Sequence, residues 1–228
     1  MSSHGPQPIK ILSPEERQQR NRDEMIGAIL QTAREIMREE GVGALNLNEV
    51  ARRLGITTPA LYSYFANKMA IYEALCQLAG RVFLEGDEAA WSGRRSGWEC
   101  IAAWMEIRID LSLRYPELYH LIYGAPMPGY TRSEEILEMT RRVLETIRGG
   151  VREMVESGEM DPGVPIGRAV DLLLAMRHGI VAERLSKASY VPPGSGRLEH
   201  LVSDALAMLK TAWAVRPETG TGGDSASD

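Results

Sequence analysis

The stretch from Asn46 to Lys68, NLNEVARRLGITTPALYSYFANK, limits what this chain can fold into more than any other. Asn46 followed three residues later by Glu49 is a capping-box arrangement, so a helix is expected to begin at Leu47. Leu47, Val50, Ala51 and Leu54 recur at helical spacing, which leaves Asn48, Arg52 and Arg53 outside. Gly55 supplies the left-handed residue that ends a helix. Thr57 is placed to cap a second helix, and Pro59 is tolerated in its first turn because that N–H has no helical partner. Two short helices joined by a tight turn containing Gly make a helix-turn-helix.

The second helix packs inward through Leu61 and Phe65, leaving Thr58, Ala60, Tyr62, Ser63 and Tyr64 on exposed or half-exposed faces. Hydroxyls of Thr and Ser bond several base edges, an Ala methyl meets a thymine methyl, and Tyr hydroxyls reach phosphate. Lys68 opens a third helix, where the first N–H groups also favour a phosphate oxygen. Two aromatics on a solvent-facing helix need a partner, although ordinary surface tyrosines are the bland alternative. The expected DNA-facing set is Arg52, Thr57, Thr58, Pro59, Ala60, Tyr62, Ser63, Tyr64 and Lys68.

The run Val50 to Thr57, then Ala60-Leu61-Tyr62-Ser63-Tyr64-Phe65 and Lys68, resembles the DNA-binding domain of the tetracycline-repressor (TetR) family of transcription regulators. It departs from the family pattern at Met69 and Ala70, where acidic residues are common, and at Pro59, where a small residue is common. The resemblance implies an all-α protein with a three-helix head at 13–66. A helical-bundle C-terminal domain at 67–215 would bind the effector and form a homodimer. It further implies a repressor released from a palindromic operator by a small organic molecule, through movement of the 67–84 helix. A helical interaction protein with a DNA-binding head, acting as an activator or without an effector, is the alternative.

The flanking chain reads as helix after helix. Residues 1–12 are expected to be an unstructured arm and 216–228 an unstructured tail. Ser13-Pro14-Glu15-Glu16 starts a helix with apolar positions Ile26, Ile29, Leu30, Ala33, Ile36 and Met37, ended by Gly41. Arg17, Arg20 and Arg22 in its early turns suit either phosphate contacts or a solvated end. Asn67 caps the next helix, and the Gly-, Ser- and Arg-rich residues 86–97 read as a connection. Trp98 to Arg114 is apolar nearly all round, which predicts a central helix whose Arg108 and Asp110 need partners. Leu118 to Tyr130 is too apolar for a free surface loop and is expected to cover core or a pocket mouth. Gly149-Gly150, inside the helix that starts at Ser133, predicts a bend or a close helix contact.

The helix from Ile166 to about Ser189 and the final one carry more apolar surface than one core needs. Leu172, Met176, Ile180, Leu198, Leu201, Leu206 and Leu209 are therefore the expected dimer interface, as in the resembling family. Trp104, Arg108, Tyr123, Met127, Met139 and His178 are the candidate effector-binding residues. Pockets are mainly apolar with a few orienting polar groups, and this set mixes large apolar side chains with a buried Arg and His.

The formal net charge of −5 opposes a simple basic binder, but local distribution sets the field at a duplex. No apolar run nears the 18 or so residues that span a membrane, and the N-terminus lacks a signal-peptide core, so a cytoplasmic protein is expected. Cys76 and Cys100 are too few for a disulfide framework, and His4, His120, His178 and His200 show no metal spacing. No phosphate-cradling Gly loop, nucleophile elbow or metalloprotease motif is present, so neither an enzyme nor a cofactor is expected.

Overall fold

The computed structural model describes residues 13–92, 96–187 and 200–215. Nine α-helices and one 3-10 turn make up the regular structure of the described residues. The expected arm, the tail, Leu198 and the end of the 166–189 helix lie outside them.

Helix α1, Pro14–Glu40, starts at a reciprocal cap. The Ser13 hydroxyl accepts from the Glu16 N–H at 3.1 Å, and the Glu16 carboxylate accepts from the Ser13 N–H at 2.7 Å. Helices α2 (Leu47–Leu54) and α3 (Thr58–Leu61) follow the 3-10 turn Val42–Ala44. Ile29, Ala33, Ile36 and Met37 of α1 close over Leu45, Val50, Ala51 and Leu61, all almost fully buried. Gly55 ends α2 at φ +67, where a side chain would be strained.

The capping box expected at Asn46 forms only by half. Its side chain accepts from the Asn48 N–H, while Glu49 is claimed by Arg52 and Arg53, the nearer cations.

Helix α4 runs from Lys68 to Trp91, capped by the Asn67 side chain. This corrects two expectations: the helix does not stop at 84, and 86–91 is not a connection. Gly86 is accommodated because Leu111 and Ile107 of the neighbouring helix fill the space a side chain would take. Packing there offsets the roughly 1 kcal/mol that Gly costs a helix. The next helix begins at Gly97, capped by Ser96.

Helix α5 (Gly97–Arg114) packs on α4, and α6 (Pro116–Tyr123) follows at the Pro116 break. Trp98, Ile101, Trp104, Met105 and Ile109 of α5 are buried, but Glu106, Asp110 and Leu113 form an outward strip. Asp110 is thus a surface residue paired with Arg114, not a buried charge. Helix α7 (Glu134–Glu156) lies across α4, and α8 (Ile166–Lys187) and α9 (Leu201–Trp213) close the bundle against α5.

The apolar loop after α6 covers α4. The Met127 N–H donates to the Tyr72 hydroxyl, and the Tyr130 hydroxyl donates to Glu73. Gly149-Gly150 proves to be a close contact, because a Cβ on Gly150 would overlap the Trp91 ring.

Candidate DNA-reading face and effector cavity

The helix-turn-helix presents one exposed face. Tyr62 is 49% exposed, and with Lys68 it borders a polar groove floored by Asn46 and Asn48. Several hydroxyls on this face already have local partners. The Thr57 hydroxyl accepts from the Ala60 N–H, the Thr58 hydroxyl donates to the Asn48 side-chain oxygen at 3.0 Å, and the Ser63 hydroxyl donates to the Ala60 carbonyl at 2.7 Å. These bonds hold α3 and its C-terminal turn in shape. Asn48, which the sequence argument left aside, is thereby fixed by its side-chain oxygen against Thr58.

Pro59 and Ala60 are exposed, whereas Tyr64 is half-buried with the Arg22 guanidinium 5.3 Å over its ring. Arg22 also donates to the Ser63 carbonyl at 3.2 Å, and the groove between them includes Arg17. This joins the start of α1 to the end of α3 as one cationic rim. Arg52 is exposed and paired with Glu49, whose carboxyl is pulled down to about 2 by Arg52 and then Arg53. Arg53 shares Glu49 with Arg52 and also pairs with Glu39 of α1.

A cavity of about 170 Å³ lies between α4, α5, α6 and α7. Phe83 and Leu84 of α4, Ile122 of α6, and Ile136, Met139 and Val143 of α7 supply apolar walls. Arg108 is its buried polar member, and Tyr123, Arg132 and Thr140 border it at the surface. Three of the six expected pocket residues, Arg108, Tyr123 and Met139, therefore line one space.

His178 packs edge-on against the Tyr123 ring with centroids 4.2 Å apart. Trp104 lies deeper, its ring 4.4 Å beneath the Arg177 guanidinium. Met127 belongs to the covering loop over Tyr72 and is not part of the cavity wall.

Behind the cavity is a charge cluster that sequence reasoning found only in part. Arg108, Arg177 and Asp87 are each 98–99% buried. Asp87 pairs directly with Arg108 and at 3.9 Å with Arg177. Arg177 also donates to the Tyr123 hydroxyl at 3.3 Å and lies 3.3 Å from the His178 ring nitrogen.

Burial pushes the Asp87 carboxyl up, opposed by both guanidinium groups, and burial pushes Arg177 down. Burial, then the charges of Arg177 and Arg108, pushes His178 down to about 4, so the ring is neutral at pH 7. A usable signal existed in the sequence. Asp87 shares helical spacing with Phe83, Leu84 and Ala90, and Arg177 with Val170, Leu173, Ile180 and Val181, so both fall on buried faces.

Of the expected interface, Leu172 is 43% exposed and Met176, Leu201 and Leu206 are half-buried. Leu209 instead points into the core, and Ile180, nearly buried, reaches this face at its base. Met208, overlooked in the sequence, is 69% exposed on the same face, bordering an apolar groove with Met176, Ile180 and Leu201. Burial pushes the Cys76 thiol up to about 11, which suits a packed, unreactive cysteine. Among the described residues no His, Cys, Asp and Glu cluster could hold a metal, and no helix is long and apolar enough to cross a membrane.

Residues 29–75 match the family model described as bacterial regulatory proteins, tetR family. Residues 101–209 match that of the tetracyclin repressor-like C-terminal domain. The HTH-type transcriptional activator FasR of Mycolicibacterium smegmatis is 25% identical over 169 residues, 74% of this chain and 73% of that protein.

A solved structure of unknown function from Rhodococcus sp. RHA1 superposes with TM-score 0.70 at 21% identity, covering 84% of this chain and 96% of that one. The regulator FadR from Bacillus subtilis, in complex with stearoyl-CoA, superposes with TM-score 0.64 at 19% identity, over 81% of this chain and 96% of that one. These two likenesses speak to fold. The helix-turn-helix geometry and the two family matches, which together span most of the chain, make it a member of the TetR family of helix-turn-helix transcription regulators.

Proposed function

We propose that the chain works as a homodimeric repressor that leaves a palindromic operator when a small organic molecule enters the cavity between α4 and α7. Residues 13–66 serve as the DNA-binding head and 67–215 as the effector-binding and dimerisation domain. The observation that carries this reading is the direct mechanical link from cavity to head. Helix α4 contributes Phe83 and Leu84 to the cavity wall and begins at Lys68, beside Tyr62 on the DNA-reading face. Helix α6 contributes Tyr123 to the cavity, and its buried Glu117 accepts from both Arg34 (2.8 Å) and Arg38 (3.0 Å) of α1. A ligand that displaces either helix therefore moves the head.

A coupling free energy of about 1–3 kcal/mol loosens DNA binding roughly 5- to 150-fold. Tyr62, Lys68, Pro59 and Ala60 meet the groove, and Arg17 and Arg22 meet phosphates. FasR, named an activator, is the reason the sign of regulation is part of the test. The test is salt-dependent binding to DNA flanking the chain's own gene, with a transcription readout on the same fragment. Tyr62→Ala with Lys68→Ala is expected to abolish binding, and Lys68→Ala alone to lower the salt slope by about one unit. Val143→Phe, which fills the cavity, is expected to keep DNA binding and lose effector release. Unchanged operator affinity in the double variant sinks the DNA-reading assignment, and full release from Val143→Phe sinks the cavity assignment.

A further inference from the structure

The cluster behind the cavity is out of charge balance. Two guanidinium groups, Arg108 and Arg177, are buried with a single carboxylate, Asp87. The Nε and Nη1 atoms of Arg108 have no hydrogen-bond partner, and Arg108 forms part of the cavity wall. A buried guanidinium with unmet donors is costly, and the cheapest cure is an anion with oxygens that accept from it in the plane of the fork. No acidic residue borders the cavity, whereas Arg132 stands at its edge as a second cation. The remaining walls are apolar. The 170 Å³ available compares with the roughly 150 Å³ engineered cavity that accepts benzene.

Resting on the reading of this cavity as the effector site, we infer that it takes a small apolar monocarboxylate, of one aromatic ring or a short chain, with its carboxylate on Arg108. The apolar body lies against Phe83, Ile122, Met139 and Val143, and the carboxylate completes the charge balance begun by Asp87. A neutral amide of the same shape can accept one bond from Arg108 but leaves the second buried guanidinium charge without a counter-charge. Discrimination therefore rests on charge more than on shape. Arg177 acts through Tyr123, a cavity-lining residue whose hydroxyl accepts from it at 3.3 Å.

The experiment is isothermal titration of the full chain with phenylacetate and octanoate, each against its amide. The acids are expected to bind at least tenfold tighter than the amides, and Arg108→Met is expected to erase that preference. Should Arg108→Met not fold, Asp87→Asn replaces it: removing the buried negative charge is expected to tighten acid binding about tenfold and leave the amides unchanged. Equal or tighter binding of the amides, no acid binding, or an Asp87→Asn variant with unaltered acid affinity each overturns the inference. The two readings fail separately. Amides that release DNA from wild type but not from Val143→Phe leave the cavity standing and remove the anion. Acids that bind Val143→Phe as well as wild type remove the cavity, and the inference with it.

Discussion

Arg108 and His178 were both legible as polar residues within apolar helices, yet their partners were not. The nearest acids in the sequence, Glu106 and Asp110, sit two positions before and after Arg108 and so point away from it on the same helix. The true partner, Asp87, comes from α4, and His178 meets Arg177 and the Tyr123 ring. His178 carries a pH prediction. Its ordinary value near 6.5 is depressed to about 4 in the fold, by burial first and the two guanidinium charges second. Between those values the unfolded chain holds a proton that the folded chain does not. Stability is therefore full above about pH 6.5 and is lost as pH falls toward 4. Urea unfolding at pH 7 and pH 5 is expected to show His178→Gln losing about 1 kcal/mol less than wild type, a discounted figure because the ring is only half-buried. Identical losses in the two proteins would remove His178 as the source.

At the scale of elements, caps and periodicity located the helices well, because both act within one or two turns. Ser13, Thr57, Asn67 and Ser133 cap as expected, and Asn46 caps α2 without the reciprocal Glu49 bond. The failure at 86–91 had a tertiary cause: Gly86 weakens a helix locally, but Leu111 and Ile107 pack where its side chain would be. The paired glycines of α7 separate propensity from packing. Gly149 has open space around a Cβ, so Gly149→Ala is expected to stabilise by about 0.5–1 kcal/mol. Gly150→Ala gains the same propensity but drives into the Trp91 ring, for a net loss of about 1–2 kcal/mol. Thermal melts of the two variants moving in the same direction would contradict this packing of α4 on α7.

The whole molecule leaves Leu172 and Met208 exposed on the outer side of α8 and α9, with Met176 and Leu201 half-buried beside them. Large apolar side chains grouped in this way mark an association surface. Leu172→Glu with Met208→Glu is expected to convert the proposed dimer to monomers by light scattering and to weaken operator binding, since two half-sites need two heads. A double variant that remains dimeric moves the interface elsewhere. The amino-acid sequence by itself determined the all-helical class, the helix-turn-helix and the caps, since helical spacing and cap chemistry operate over a few residues. Tertiary structure alone decided that Asp87 joins Arg108 and Arg177, that Trp104 lies beneath Arg177 outside the cavity wall, and that Leu209 turns inward while Met208 turns out. Those outcomes depend on which faces of distant helices meet, and no local spacing encodes that.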